Sequence, residues 1–188
     1  METKKKLSTR KIVFLALMAA LVAVGSALRI TLPMDIAGTT SFHLGNIMCA
    51  LSGLLFGPWF GGLAAGLGSA IYDMTNPLYI SECWLTFLMK GAYGLVAGLV
   101  AWSGSKTWNT GKAALATTAA AVTYAVIYLL KSFLKNMFVK GLAAAPAFMA
   151  LAGKVPATIF NAVVAIIFAP ILAIAIRKAL EMSHMALE

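Results

Sequence analysis

The sequence predicts an all-α integral membrane protein, a bundle of six transmembrane helices with both termini in the cytoplasm. Three observations carry this. Hydrophobic residues make up 61% of the 188 positions and charged residues only 11%, with a mean hydropathy of +0.90, whereas soluble domains carry about a quarter charged residues. Sixteen glycines and abundant alanine suit closely packed helices better than the alternating strands of an outer-membrane barrel. The basic residues gather at both ends of the chain, where they set orientation.

The first span is expected over 12–32, closed by Pro33 and a polar loop, 35–41, that begins at Asp35. The basic start METKKKLSTRK before an apolar run resembles a secretion signal, but the run continues to Ile30 without a convincing small-residue cleavage site, so it is expected to remain as a helix. From Phe42 to Tyr72 the chain is apolar apart from a Gly57-Pro58 break. One straight helix of that length would measure about 45 Å against a hydrocarbon core of about 30 Å. It is therefore divided into two spans, 43–57 and 59–73. A loop containing Asp73 and Glu82 leads to a fourth span, 84–102, and the stretch SGSKTWNTGK to a fifth, 113–138. A Gly- and Pro-containing connection precedes the sixth, 151–176. All 188 residues form one membrane domain.

Six spans put both basic termini on one side, with the loop of Lys106 and Lys112. Nine basic residues there face Glu2, Glu181 and Glu188, and the positive-inside rule makes that side cytoplasmic. Six more, Arg29, Lys90, Lys131, Lys135, Lys140 and Lys154, fall in the outer half against Asp35, Asp73 and Glu82. Lys or Arg at a helix centre costs about 2.5–3.5 kcal/mol on insertion scales, so something should offset it. On the fifth span Tyr124, Tyr128, Lys131 and Lys135 stand at i, i+4, i+7 and i+11, one helical face. Lys90 lies about two turns below the outer end of the fourth span and Asn161 near the middle of the sixth. This pattern predicts an outward-facing pocket with aromatic walls and several ammonium groups, suited to a small polar, anionic solute. Lysines near an interface can also snorkel, tyrosines populate the aromatic belt, and Asp73 and Arg29 can pair at the outer rim.

The composition argues against other classes. A net charge of +9 arises at helix ends and termini, so nucleic acid is not the expected partner. Cys49 and Cys83 sit in apolar runs without metal-ligand spacing, and neither a metal nor a cofactor is called for. His43 and His184 are far apart, and no nucleophile is paired with a base within the spans, so no enzyme is expected. Nor is there a GxxxxGK[ST] phosphate loop; energy for uphill transport would come from another subunit or an ion gradient. Ala16 and Ala20, and Ala19, Ala23 and Ala27, recur at four-residue spacing on the first span. Such rows permit close approach by another helix.

The basic start, the AxxxAxxxA row, FHLGNIMCALSGLLFGPWFGGLAAGLGSAIYD and TFLMKG together resemble the substrate-binding S-components of energy-coupling factor (ECF) vitamin transporters. The likeness spans nearly the whole chain and is most specific over 42–73 and 86–91. The HLGN, LLFGP and GLGSAIYD strings look like the group that includes predicted riboflavin, hydroxymethylpyrimidine and pantothenate carriers. The resemblance implies capture of a vitamin from outside and docking, through the alanine row, on a transmembrane coupling subunit. It also implies two cytoplasmic ATPases that drive release. The candidate substrate-binding residues are His43, Asn46, Lys90, Tyr124, Tyr128, Lys131, Lys135 and Asn161, and the candidate partner contacts are Ala16, Ala19, Ala20, Ala23 and Ala27. The ammonium groups favour an anionic vitamin such as pantothenate, with riboflavin or hydroxymethylpyrimidine as alternatives. From another class, a small ion-coupled secondary transporter is the competing reading, although no repeat relates the halves.

Overall fold

Helix α1, Thr9–Ala27, ends five residues before the sequence expectation. The computed structural model describes residues 9–34, 38–104 and 108–183; Glu2, Lys4, Lys5, Lys6, Asp35, Lys106, His184 and Glu188 lie outside them. After α1 the chain forms two antiparallel strands, β1 (Arg29–Met34) and β2 (Gly38–His43), with Arg29 opposite His43 and Met34 opposite Gly38. This corrects the span to residue 32 and, over 38–41, the expected loop, whose residues 35–37 lie outside the described ones. Ile30, Thr31, Thr39 and Thr40 are β-branched, and Pro33 cannot continue a helix.

Helix α2, Gly45–Thr75, is broken at Gly57, whose φ of 75° and ψ of −174° are not helical. Only glycine adopts that region at low cost. The limbs on either side, 45–56 and 58–75, lie antiparallel against one another. Ser52 Oγ stands 2.7 Å from Cys49 O and 2.8 Å from Gly61 O, and Cys49 Sγ is 3.7 Å from Ser69 Oγ. A β-carbon on Gly61 would fall 2.5 Å from Gly53 Cα, so the crossing requires glycine. The break also frees a carbonyl. Leu54 O would accept from the amide of residue 58 in a continuous helix, but Pro58 has none. The indoles of Trp102 and Trp108 donate to it instead, at 3.0 and 3.2 Å. Both tryptophans flank the polar link after α3, which is thereby tied to the break.

A 3₁₀ turn, Ile80–Glu82, opens α3, Cys83–Ala101. Asn109 caps α4, Thr110–Leu134, by accepting from Lys112 N at 2.8 Å. α4 then widens into a π-turn, Lys135–Val139. A short helix α5, Ala144–Met149, intervenes before α6, Val155–Met182, so the last span begins four residues later than expected. Among the described residues five segments are long and apolar enough to cross a membrane, namely Thr9–Ala27, Gly45–Thr75, Ile80–Ala101, Thr110–Val139 and Val155–Met182. The chain is an integral membrane protein. The sequence predicts six; the ranges 43–57 and 59–73, expected as two spans, fall on the two limbs of the bent second segment.

Small residues hold the bundle together, because lipid gives helices no hydrophobic reason to associate and close backbone approach must do so. α2 packs chiefly on α3 and α1, and α4 on α3 and α6. On α6 Ala157, Asn161, Ala165, Ala169 and Ala173 recur every fourth residue and are all buried. Asn161 is the polar member of that row. Leu, Ile, Val and Phe side chains on the outward faces, such as Val126, Leu130, Ile167 and Ile171, are exposed in the isolated chain, as lipid contact requires.

Candidate functional site

The C-terminal ends of α2 and α4, the N-terminal ends of α3 and α6, and the β1–β2 hairpin converge at one end of the bundle. They enclose a cavity of about 310 Å³. The Gly57 break and its tryptophans lie at the opposite end. Of the eight expected substrate-binding residues, His43, Asn46, Tyr124, Tyr128, Lys131, Lys135 and Asn161 line this cavity. The eighth, Lys90, is buried behind it at 4% exposure. Its ammonium donates to Asn46 Oδ1 and stands 4.2 Å from the centre of the Tyr124 ring, a cation–π contact.

Each wall is fixed by partners outside the cavity. Asn161 donates through Nδ2 to Ser41 O at 2.7 Å and accepts at Oδ1 from His43 N at 3.0 Å, so its amide clamps the free edge of β2. His43 Nδ1 accepts from Gly45 N at 3.2 Å, leaving Nε2–H as the ring's donor. Burial first, then the charges of Lys90 and Arg29, hold this strand histidine well below its usual pKa, so it is neutral at pH 7. With Asn46 Oδ1 engaged by Lys90, the Asn46 Nδ2 is left to offer hydrogen bonds. The tyrosines form a column: Tyr124 and Tyr128 stack at 5.9 Å and 13° between planes, and Tyr93 leans on Tyr124 at 5.6 Å.

Two expectations about charge are corrected. Glu82, expected in a loop, lies in the 3₁₀ turn and bridges Lys131 and Lys135, one carboxylate oxygen to each. One carboxylate thus faces two ammonium groups, so the two lysines depend on a ligand for countercharge only in part. Asp73, also expected in a loop, is buried in the last turn of α2 and takes a hydrogen bond from the Thr86 side chain. It does not pair with Arg29. That guanidinium is sandwiched between the rings of Tyr72 and Tyr79, 4.3 and 4.8 Å from their centres, with Nε donating to Ser26 O at 2.7 Å. The clamp ties the hairpin to α2 and to the segment after it.

Arg29, Ser41, Tyr79, Asp73, Glu82, Asn136 and Lys154 also line the cavity but were not singled out as binding residues. Five of its side chains are basic and two acidic. Four of the seven, Arg29, Asp73, Glu82 and Lys154, stood among the unexplained charges of the sequence; Asn136 follows Ser132 by one turn, a spacing that shows only once the pocket face of α4 is known.

The alanine row divides. Ala19 is 6% exposed, and its carbonyl lies where a β-carbon on Gly68 would be. Ala19 therefore makes a contact within the chain and stands apart from the exposed members of the row. Ala16, Ala20 and Ala27 are exposed and Ala23 half-buried, at i, i+4, i+11 and i+7 on one face of α1.

A helical membrane bundle built around a polar, tyrosine-walled cavity of solute size defines the class of protein. Over residues 6–178 the sequence matches the family described as ECF-type riboflavin transporter, S component. The chain belongs to that family. It is also 34% identical over 87 residues to a Pyrococcus woesei protein described as "Uncharacterized protein in gap 3'region", a match covering 46% of this chain and 55% of that one. The chain thus aligns with about half the length of that curated relative.

Proposed function

We propose that this protein is the substrate-capturing S-component of an ECF-type vitamin transporter. The carrying observation is the family match over 6–178; the converging cavity supports it. Six crossings place the cavity outside and the Gly57 break with its tryptophans inside, the two limbs of α2 each counting as one. The exposed face of Ala16, Ala20, Ala23 and Ala27 is the docking surface for a transmembrane coupling subunit, and two cytoplasmic ATPases supply the energy.

The ligand is a flavin of the riboflavin class. The family description points to it, and the fixed donors, His43 Nε2–H and Asn46 Nδ2, suit the carbonyl and ring-nitrogen acceptors of a flat heterocycle. Stacked tyrosines suit its faces. The sharing of Glu82 by Lys131 and Lys135 weakens the argument that those two lysines await an anionic vitamin. Pantothenate remains the second reading, favoured by the basic excess of the lining. Copurification tests the role: the protein should bring down one membrane subunit and two ATPases, and Ala20→Leu should abolish this without loss of ligand binding. Solitary purification from cells that carry such a module, or indifference to Ala20→Leu, would remove the docking surface.

A further inference from the structure

Lys154 occupies the N-cap position of α6, Asn136 lies in the π-turn after α4, and both line the cavity. Lys154 Nζ donates to Ser132 Oγ at 3.4 Å and stands 5.5 Å from the Tyr128 ring centre. Unlike Lys131 and Lys135, it has no carboxylate within 4 Å among the described residues. Asn136, one turn beyond Ser132, is 2% exposed, and its Nδ2 has no hydrogen-bond partner. A buried amide N–H₂ without an acceptor is rare and costly in a folded protein. Ser132, Asn136 and Lys154 all line the cavity. π-turns are frequent at functional sites because the extra residue re-aims side chains. Here the orphaned donor, a hydroxyl and an ammonium with no carboxylate within 4 Å among the described residues line one cavity.

We propose that Lys154, Ser132 and Asn136 form an anion subsite of this cavity that takes a terminal phosphate or carboxylate of the ligand. The inference rests on the vitamin-capture reading and narrows its substrate class to compounds with an anionic end. A dianionic phosphate would accept from Asn136 Nδ2 and Ser132 Oγ and pair with Lys154, giving the orphaned amide an acceptor and the ammonium a close countercharge. Lys140 lines the same part of the cavity and adds to the positive field.

The test is calorimetry on the purified full chain with riboflavin, riboflavin 5′-phosphate and pantothenate, which separate heterocycle from anion and phosphate from carboxylate. Riboflavin 5′-phosphate should bind ten- to a hundredfold more tightly than riboflavin. Lys154→Met and Asn136→Leu should erase that difference while leaving riboflavin affinity unchanged, and Lys154→Arg should keep it. Tight pantothenate binding lost in Lys154→Met would uphold the subsite while replacing the flavin by a carboxylate. Equal binding of riboflavin and its phosphate, unaffected by the variants, would overturn the subsite and leave vitamin capture standing. Failure of all three compounds to bind folded protein would overturn it too, and copurification with the coupling module then judges the transporter role separately.

Discussion

Lys90 is held by an amide oxygen and a ring face, with no acid within 4 Å among the described residues. Its ammonium costs free energy to bury, yet it fixes Asn46 so that the amide nitrogen is directed elsewhere. Lys90→Met should leave the melting temperature within a few degrees, because relief of the buried charge opposes the orphaning of Asn46 Oδ1, a loss of about 1–3 kcal/mol. Ligand affinity should fall about ten- to a hundredfold, since a directed hydrogen bond is lost. Fluorescence or calorimetric titration with thermal melts checks both; unchanged affinity would detach Lys90 from the site. Lys154, the residue before α6, has its pKa lowered to about 8, by burial first and then by Lys131, Lys140 and Lys135, against the opposing charge of Glu82. It is largely protonated at pH 7 and loses its charge as pH rises through 8, whereas a bound anion would hold the proton. Affinity for riboflavin 5′-phosphate should therefore weaken between pH 7.5 and 9.5 and that for riboflavin should stay flat. The Tyr124–Lys135 face was legible from helical spacing alone. Its pairing with Glu82 was not, because 49 residues separate Glu82 from Lys131 and only the α3–α4 packing brings them together.

At the scale of elements, Gly57-Pro58 announced the bend in α2, since one residue tolerates positive φ and the next lacks a donor. What the dipeptide could not show is where the freed Leu54 carbonyl goes. Trp102 and Trp108 both serve that oxygen, from 48 and 54 residues away. Because they share one acceptor, Trp102→Phe or Trp108→Phe alone should cost less than about 1 kcal/mol of this interaction, and the double substitution about 1–3 kcal/mol more than the two singles together. Denaturation of the four proteins in one detergent checks this; additive losses would mean that neither indole replaces the other. The β1–β2 hairpin escaped the sequence reading because Leu28, Ile30 and Leu32 extend the apolar run of α1. Asn161 was flagged as a polar residue on a span, but its partners lie on β2, 118 and 120 residues away.

For the whole molecule, the proposed orientation rests on the distribution of charge between the two ends of the bundle. Arg177 lies 5.3 Å from the Trp108 ring centre at the break end, and the outer lysines gather at the cavity end. In a background lacking Cys49 and Cys83, a membrane-impermeant thiol reagent applied from outside should label cysteines at Thr39 and Ser81 and miss one at Ser103; the reverse pattern would invert the orientation. All of this bears on one claim, that the cavity captures a vitamin from outside. Native mass spectrometry of gently purified protein tests that most directly. One vitamin-sized ligand per chain should be retained, and Asn161→Leu, which unclamps β2, should release it. A chain that stays empty after incubation with riboflavin, riboflavin 5′-phosphate and pantothenate would contradict vitamin capture.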